Sequence, residues 1–198
     1  MKVLSKKIET EIIVKNSRFI NELFICNSQT EARDVIKSQK EKYQDASHVC
    51  HAFVIGKDAE VLGMSDAGEP GGTAGRPMLD VLKGSGITNI LLTVTRYFGG
   101  TLLGTGGLVK AYGDCAKSVI EKAVSENAIE ELVEKRDFCF SCDYSTYEII
   151  KRQLKDFVIY EIKEEYSDCV TVKAKILAEQ FETFSARIKN FSGGKINL

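Results

Sequence analysis

The sequence predicts an α+β protein of two domains, residues 1–128 and 135–198. Two observations predict this class: strand and helix patterns alternate along the whole chain, and the polar, acidic segment 126–134 divides them into two series. A third observation concerns the first series, because residues 63–113 hold thirteen of the sixteen glycines and both prolines. Glycine is used where φ must be positive or where another backbone or a ligand comes too close for a Cβ atom. This stretch is therefore expected to serve a particular geometry.

The amino-terminal half of the first domain is expected to contain four strands and one helix. Ser28 and Glu31 form a capping box, which predicts the start of a helix reaching about residue 43. Asn16 and Ser17 predict a turn that joins the first two strands into a hairpin. The four strands are expected at residues 8–14, 19–26, 49–55 and 61–65.

The glycine-rich stretch predicts a loop, a short helix, a strand and a long helix. Residues 63–75 form the loop, and Pro77 suits the first position of a helix that ends at Gly84. The nearly continuous apolar run in residues 87–97 predicts a strand buried on both faces. Residues 106–125 are expected to form a helix whose buried face holds Leu108, Tyr112, Cys115 or Ala116, Val119 and Ala123. The first domain thus has the order β-β-α-β-β-α-β-α.

The second domain is predicted from periodicity to have the order β-α-β-β-α-β. This order within roughly 65 residues is the ferredoxin-like arrangement. Helices are expected at 146–156 and 179–191, and strands at 136–143, 158–165, 169–177 and, as a candidate last strand, 195–198.

The composition indicates an ordinary soluble globular protein, with 43% hydrophobic and 28% charged residues in a chain of 198. Lys and Arg number 27 against 28 for Asp and Glu, so overall charge gives no argument for nucleic acid, although a local basic patch stays open. No DNA sequence specificity is expected. We find no secretory signal and no apolar run near the ~18 residues that a membrane span needs. A cytoplasmic location is therefore expected, with the six cysteines as free thiols.

Two groups of cysteine and histidine are candidates for metal binding. Cys139 and Cys142 match C-x-x-C, but residues three apart on a strand point to opposite faces and cannot share a metal. His48 and Cys50 share one strand face and His51 takes the other, while nothing in the sequence supplies further ligands. No metal is expected. The two histidines remain the default general-base candidates if the protein is an enzyme.

The start of the long helix is a candidate anion site. A helix begins with unpaired N–H groups and a partial positive charge. Lys110 is expected in its first turn, where a cation has the wrong sign for the helix dipole unless an anion lies nearby. With Arg76 and Arg96, this end of the helix suits a phosphate of RNA or of a nucleotide.

The loop before the short helix is expected to close on the same site. The alternative is structural, with Asp66 forming a turn and Glu69 either solvated or paired with an arginine. No cofactor is expected, because the glycine pattern that begins at Gly104 has Val109 in place of the last glycine of G-x-G-x-x-G, and no P-loop sequence occurs. The candidate residues are Asp66, Glu69, Thr73, Arg76, Arg96, Tyr97, Gly104, Thr105, Gly106, Gly107 and Lys110.

Three segments together resemble the signature of the Impact family, in its bacterial YigZ-like branch. They read SHVCHAF, SDAGEPGGTAGRP and TRYFGGTLLGTGGLVKAYG, and the order of elements extends the resemblance over essentially the whole chain. The resemblance implies a first domain like the second domain of ribosomal protein S5 and a tail like the last domain of elongation factor G. Members commonly carry two adjacent aspartates where this chain has Asp66 and Ala67, which counts against a role that needs a carboxylate pair there.

The resemblance also implies a function, because eukaryotic members regulate translation through ribosome or partner-protein association. The leading hypothesis is thus a non-enzymatic binding protein that contacts ribosome, RNA or a translation-related protein. RNA stacking on Phe138, Phe140 and Tyr144 is one option, with a core role favoured for the phenylalanines. The alternatives are an adaptor with an exposed apolar patch, and an enzyme acting on a small phosphorylated or anionic substrate. In the enzyme, Asp66 or Glu69 would be acid or base, and Arg96 and Lys110 would stabilise charge.

Overall fold

The computed structural model describes residues 1–198 as two compact units, Met1–Leu132 and Val133–Leu198. The first unit is built on a five-stranded sheet of β2 (Ile8–Val14), β3 (Ser17–Ile25), β4 (His48–Ile55), β5 (Val61–Ser65) and β7 (Ile90–Tyr97). The strand order is β2-β3-β7-β4-β5. Every neighbouring pair in this sheet is antiparallel.

Three helices cover the two faces of this sheet. Helices α2 (Gly75–Gly84) and α3 (Gly104–Ser125) bury the larger apolar cluster on one face, while α1 (Gln29–Lys42) packs over a smaller cluster on the other. The Ser28 hydroxyl accepts a hydrogen bond from the Glu31 amide, which confirms the predicted start of α1. None of the helices in the chain combines the length and apolar character that a membrane span requires.

A second, three-stranded sheet corrects two predictions. It joins β1 (Lys2–Leu4), β6 (Ile87–Thr88) and β8 (Ile129–Glu131) in the order β6-β1-β8. The predicted strand at 87–97 is therefore two strands, because Asn89 has a φ of 55° between them and its side chain accepts a hydrogen bond from the Gly56 amide. The predicted connection at 126–134 likewise contains β8.

Burial follows the predicted pattern in the centre of the first unit. All residues of β7 from Ile90 to Arg96 are buried, which confirms a strand covered on both faces. The predicted inner residues of α3 are buried as well. Both later helices begin earlier than predicted: α2 begins at Gly75 with Pro77 in its first turn, and α3 begins at Gly104, where a φ of 74° requires glycine.

The second unit contains three antiparallel strands and two helices. The elements are β9 (Lys135–Cys142), α4 (Tyr144–Leu154), β10 (Ile159–Tyr166), β11 (Val170–Leu177) and α5 (Phe181–Phe191). The sheet order is β10-β11-β9, and a short 3-10 turn precedes the last helix.

The candidate last strand at 195–198 is not formed, so the predicted β-α-β-β-α-β order lacks its final strand. The chain turns through Gly193 and Gly194, both with positive φ, and the Ile196 amide donates to the Ser192 hydroxyl. Ile196 is buried in the apolar cluster of this unit, and Leu198 packs against it. The tail thus contributes two apolar side chains to the core and forms no paired strand.

Buried and exposed side chains alternate along β9 as predicted. Phe138 and Phe140 are buried in the core, so the favoured core role is confirmed and stacking on RNA is excluded for them. Cys139 is exposed, while Cys142 is half-buried against the core, and the two thiols lie on different faces. Tyr144 is half exposed and donates its hydroxyl to the Ser167 carbonyl.

Candidate functional site

Asp66 holds the start of α2. One carboxylate oxygen accepts hydrogen bonds from the Ala74 and Gly75 amides, and the other accepts from the Gly72 amide at 2.8 Å. Burial alone would raise the pKa of Asp66, but the three N–H donors outweigh it and lower the pKa. The anion at this helix end is therefore the chain's own carboxylate, which agrees with the structural alternative for Asp66.

Glu69 and Arg96 form a buried ion pair, with Arg96 Nη1 2.8 Å from Glu69 Oε1. The same oxygen accepts a hydrogen bond of 2.7 Å from the Tyr112 hydroxyl. Arg96 also donates to the Ser17 hydroxyl, and its guanidinium lies over the Phe98 ring. The arginine is thus fixed by contacts on several sides.

His48 and Cys50 lie beside this pair on β4. His48 Nδ1 is 3.0 Å from the Ala67 carbonyl oxygen, and because a carbonyl only accepts, Nδ1 carries the proton. His48 Nε2 then faces Glu69 Oε2 at 3.8 Å. The single thiol proton of Cys50 is donated to the Asp66 carbonyl oxygen at 3.0 Å, and the sulfur also lies 3.4 Å from Tyr112 Oη. Burial raises the pKa of Cys50 to about 12. Burial also raises the pKa of Tyr112, so both groups remain protonated donors.

A cavity of about 510 Å³ opens above these residues, between the start of α3 and the end of β7. We call it the α3 pocket. Glu69, Arg96 and His48 supply its polar surface, and apolar side chains supply most of the rest. Two of these are unusually exposed: Leu102 at 82% and Phe98 at 49%. The lining residues are Ser47, His48, Glu69, Pro70, Arg96, Phe98, Leu102, Leu103, Gly104, Thr105 and Leu108.

The helix α3 begins beside the pocket, with Gly104 and Thr105 in the pocket lining and Gly106 next to them in the chain. No side chain caps this helix, and the N–H groups of Gly104, Thr105 and Gly106 have no acceptor within the chain. All three residues are exposed. A Cβ atom on Gly106 would meet nothing within 4 Å, and its φ is not positive, so neither packing nor backbone conformation requires glycine there. A ligand close to the backbone is a remaining reason for glycine at this position.

The other candidate residues lie outside the pocket lining. Thr73 is buried and donates to the Pro70 carbonyl, while Arg76 pairs with Asp80 one turn along α2. Tyr97 donates to Asp45. Lys110 is exposed in the second turn of α3, not the first, because the helix begins at Gly104. Gly106 and Gly107 are in the first turn but do not line the pocket.

Sequence reasoning missed the apolar wall and Tyr112 as a partner of Glu69. Phe98, Leu102 and Leu103 have no periodic pattern, since they lie in the turn between β7 and α3. The one signal in the sequence was the pair Leu102 and Leu103 between two glycine turns. Tyr112 belongs to the predicted buried face of α3, and its hydroxyl partner comes from a residue 43 positions away.

Comparison with known proteins identifies the family. The model of the Impact N-terminal domain matches residues 15–120, a range that contains every residue lining the α3 pocket. The chain belongs to the IMPACT family. It is 36% identical to the IMPACT family member YigZ of Escherichia coli, covering 93% of this chain and 90% of the relative. It is also 36% identical to the IMPACT family member YvyE of Bacillus subtilis, covering 96% of this chain and 86% of that protein.

One solved structure is similar to this chain over nearly its whole length. It is described as a hypothetical protein and is 34% identical to this IMPACT family member, with a TM-score of 0.68. The similarity covers 98% of this chain and 93% of the other. Both units of the chain therefore have counterparts in a known structure.

Proposed function

We propose that this IMPACT family member is a non-enzymatic, translation-associated binding protein that contacts ribosome, RNA or a partner protein through the α3 pocket. The single observation that carries the proposal is the set of three exposed amides at Gly104, Thr105 and Gly106 without an acceptor in the chain. Together with the helix dipole, they favour a phosphate or carboxylate oxygen of the ligand. The translation part of the proposal rests on the resemblance to the IMPACT family, whose eukaryotic members regulate translation.

The surroundings of these amides restrict the ligand. Glu69 neutralises Arg96, so the floor of the pocket adds no net charge unless His48 is protonated. Phe98 and Leu102 offer apolar surface at the rim. The pocket therefore suits one anionic group attached to an apolar or aromatic part, rather than a long stretch of phosphates.

Thr105 allows an amide to be removed with little change elsewhere. Proline is tolerated in the first turn of a helix, so Thr105→Pro deletes one N–H at the pocket, and Thr105→Ala keeps it while removing the hydroxyl. We expect sedimentation with ribosomes at low salt for the wild type and for Thr105→Ala, and at least a tenfold weaker association for Thr105→Pro. If the wild type stays in the supernatant at low salt, or if both variants sediment equally, ribosome contact through this pocket is refuted.

A second candidate is an enzyme acting on a small phosphorylated or anionic substrate. The observation that favours it is His48, which lines the pocket and whose Nε2 atom lies 3.8 Å from Glu69 Oε2. Asp66 and Lys110 have no part in it, since Asp66 binds amides and Lys110 lies outside the pocket. Cys50 and Tyr112 are protonated and do not serve as nucleophiles.

The two candidates are separated by a ligand screen. A thermal-shift series with phosphate, nucleotides and sugar phosphates detects a ligand, because one at ~100 times its dissociation constant adds about 2.7 kcal/mol of stability. Any hit is then tested for turnover with the wild type and with His48→Asn. Turnover that the variant loses supports the enzyme, and binding without turnover supports the binding protein.

A further inference from the structure

A second cavity, of about 670 Å³, lies on the opposite face of the five-stranded sheet. It runs between α1 and strand β4, and we call it the α1 groove. Its volume is within the range of pockets that hold small ligands. The residues that line it are Gln29, Arg33, Ile36, Lys37, Lys40, Glu41, Gln44, His51 and Phe53.

One side of the α1 groove is a row of cations. Arg33, Lys37 and Lys40 are spaced four and three residues apart, which places them on the same side of the helix. All three are exposed. Arg33 and Lys40 form no ion pair within the chain, and Lys37 has only a 4.0 Å contact with Glu41. The groove therefore has a surplus of positive charge that the chain does not use, unlike the α3 pocket.

The floor of the groove is the ring of Phe53. A Cβ atom built on Gly63, across from Phe53 in the neighbouring strand β5, would lie 2.1 Å from Phe53 Cζ. The ring thus occupies the space that a side chain at position 63 would take, and it remains partly exposed to the groove. A flat aromatic surface of this kind is suited to stacking with a nucleobase.

His51 lies beside Phe53 and supplies a polar edge. Burial, and to a lesser extent the charge of Lys40, lower the pKa of His51 to about 4, so the imidazole is neutral at physiological pH. Its Nδ1 atom is buried without a partner in the chain. Since Nδ1 is buried, Nε2 is the ring nitrogen that can bond the edge of a base, as donor or acceptor according to the tautomer.

We propose that the α1 groove binds a nucleotide, with the base on Phe53 and His51 and the phosphate held by Arg33, Lys37 and Lys40. The three elements of a nucleotide are matched in one cavity: a ring surface, a hydrogen-bonding edge and a cationic side. An acidic peptide would use the cations but leave the aromatic floor and the imidazole without a matching group. The proposal is independent of the α3 pocket, which lies on the other face of the sheet.

The test uses the full chain and four probes. These are the mononucleotides AMP and UMP by calorimetry, and fluorescein-labelled single-stranded octamers of A or U by anisotropy. Octaglutamate serves as an acidic competitor without bases. The variant is Arg33→Gln with Lys40→Gln, two exposed side chains without ion pairs. The matched control is Lys83→Gln with Lys117→Gln, which removes the same charge from α2 and α3.

The groove variant is expected to bind nucleotides at least tenfold more weakly, whereas the control binds like the wild type. For the octamers, the slope of log affinity against log salt should decrease by about 1.4, or ~0.7 for each phosphate that the variant no longer neutralises. Equal affinity for monomers and octamers identifies a free nucleotide as the ligand, and octamers at least tenfold tighter identify an RNA strand. Both results support nucleotide binding in the α1 groove.

Three outcomes overturn the proposal. The first is that neither mononucleotides nor octamers bind. The second is that the groove variant and the control bind equally, which places the site elsewhere. The third is that octaglutamate and an unlabelled oligonucleotide of equal charge displace the labelled octamers equally well. The site would then recognise charge alone, and an acidic protein would fit it.

Discussion

Arg96 on β7 and Glu69 in the loop before α2 are joined by a 2.8 Å ion pair with both side chains almost fully buried, at 6% and 2% exposure. This pair forms the floor of the α3 pocket and cancels the charge that Arg96 would otherwise offer to a ligand. The positive potential at the pocket therefore comes mainly from the backbone amides of α3. The pair also ties the glycine-rich loop to the centre of the sheet, which leads to the first prediction.

Arg96→Met leaves Glu69 buried, with Tyr112 at 2.7 Å and His48 at 3.8 Å as its remaining partners. Removing one member of a buried ion pair typically costs about 3–5 kcal/mol, so we expect a loss of that size in the free energy of unfolding, measured in urea. The double variant Glu69→Gln with Arg96→Met removes the stranded charge and should recover at least half of the loss. Equal stability of the single variant and the wild type would contradict a structural role for the pair.

Asp66→Asn weakens the cap of α2, because an amide group cannot accept at both of its heteroatoms. We expect a loss of about 1–3 kcal/mol at pH 7, the typical cost of leaving a hydrogen-bond donor without its acceptor. The folded pKa of Asp66 lies below its ordinary value of 3.8. The stabilisation from ionised Asp66 is thus complete above about pH 5 and is lost as the pH falls through 3.8 towards the folded pKa.

The difference between the wild type and Asp66→Asn should therefore narrow from pH 7 to pH 3. Urea unfolding at the two pH values measures it, and carboxylates common to both proteins cancel in the comparison. A difference that is constant over this range would show that the charge of Asp66 makes no contribution.

Gly99→Ala tests which glycines are needed for packing. A Cβ atom on Gly99 would lie 2.0 Å from the backbone carbonyl carbon of Asn16, a clash that only a backbone shift relieves. Gly71 is the matched control, because a Cβ atom there meets nothing within 4 Å and its φ is not positive. We expect Gly99→Ala to lower the free energy of unfolding by about 1–3 kcal/mol. Gly71→Ala should change it by less than about 0.5 kcal/mol. Similar effects of both variants would refute the packing role.

Ile196→Ala tests whether the carboxyl-terminal tail stabilises the core of the second unit. Ile196 is buried, and truncating a buried isoleucine to alanine typically costs about 2–5 kcal/mol. Asn197→Ala alters its exposed neighbour and should leave stability unchanged. Thermal unfolding of the full chain measures both. If both variants have the same melting temperature as the wild type, the tail does not stabilise the core.

The sequence predicted those features that arise from local chemistry or from long periodic patterns. The capping box of α1 and the buried face of α3 are of this kind, and so is the separation of His48 from His51 on opposite faces of β4. The two short strands β1 and β8 were missed because three residues are too few for a periodic signal. Asn89 ends β6 through its side-chain bond to Gly56, a partner 33 residues away that no local pattern reveals.

The candidate site was predicted only in part for the same reason. Arg96, Glu69, Gly104 and Thr105 do line one pocket, but Arg76 is turned to Asp80 and Lys110 lies outside the lining. A shift of two residues in the start of α3 was enough to move Lys110 from the first turn to the second. The α1 groove was not predicted. The sequence patterns of α1 and β4 indicate a helix packed on a sheet, and neither pattern indicates a cavity between them.

The central claim is that the amides at the start of α3 receive an anion, and it is tested most directly by observing those amides. A ¹⁵N–¹H titration with phenyl phosphate, which combines an anionic and an aromatic group, should shift the Gly104, Thr105 and Gly106 resonances together towards saturation. Thr105→Pro should abolish the shifts, and Thr105→Ala should retain them. If these resonances do not move, or if Thr105→Pro binds as the wild type does, the α3 pocket is not an anion site.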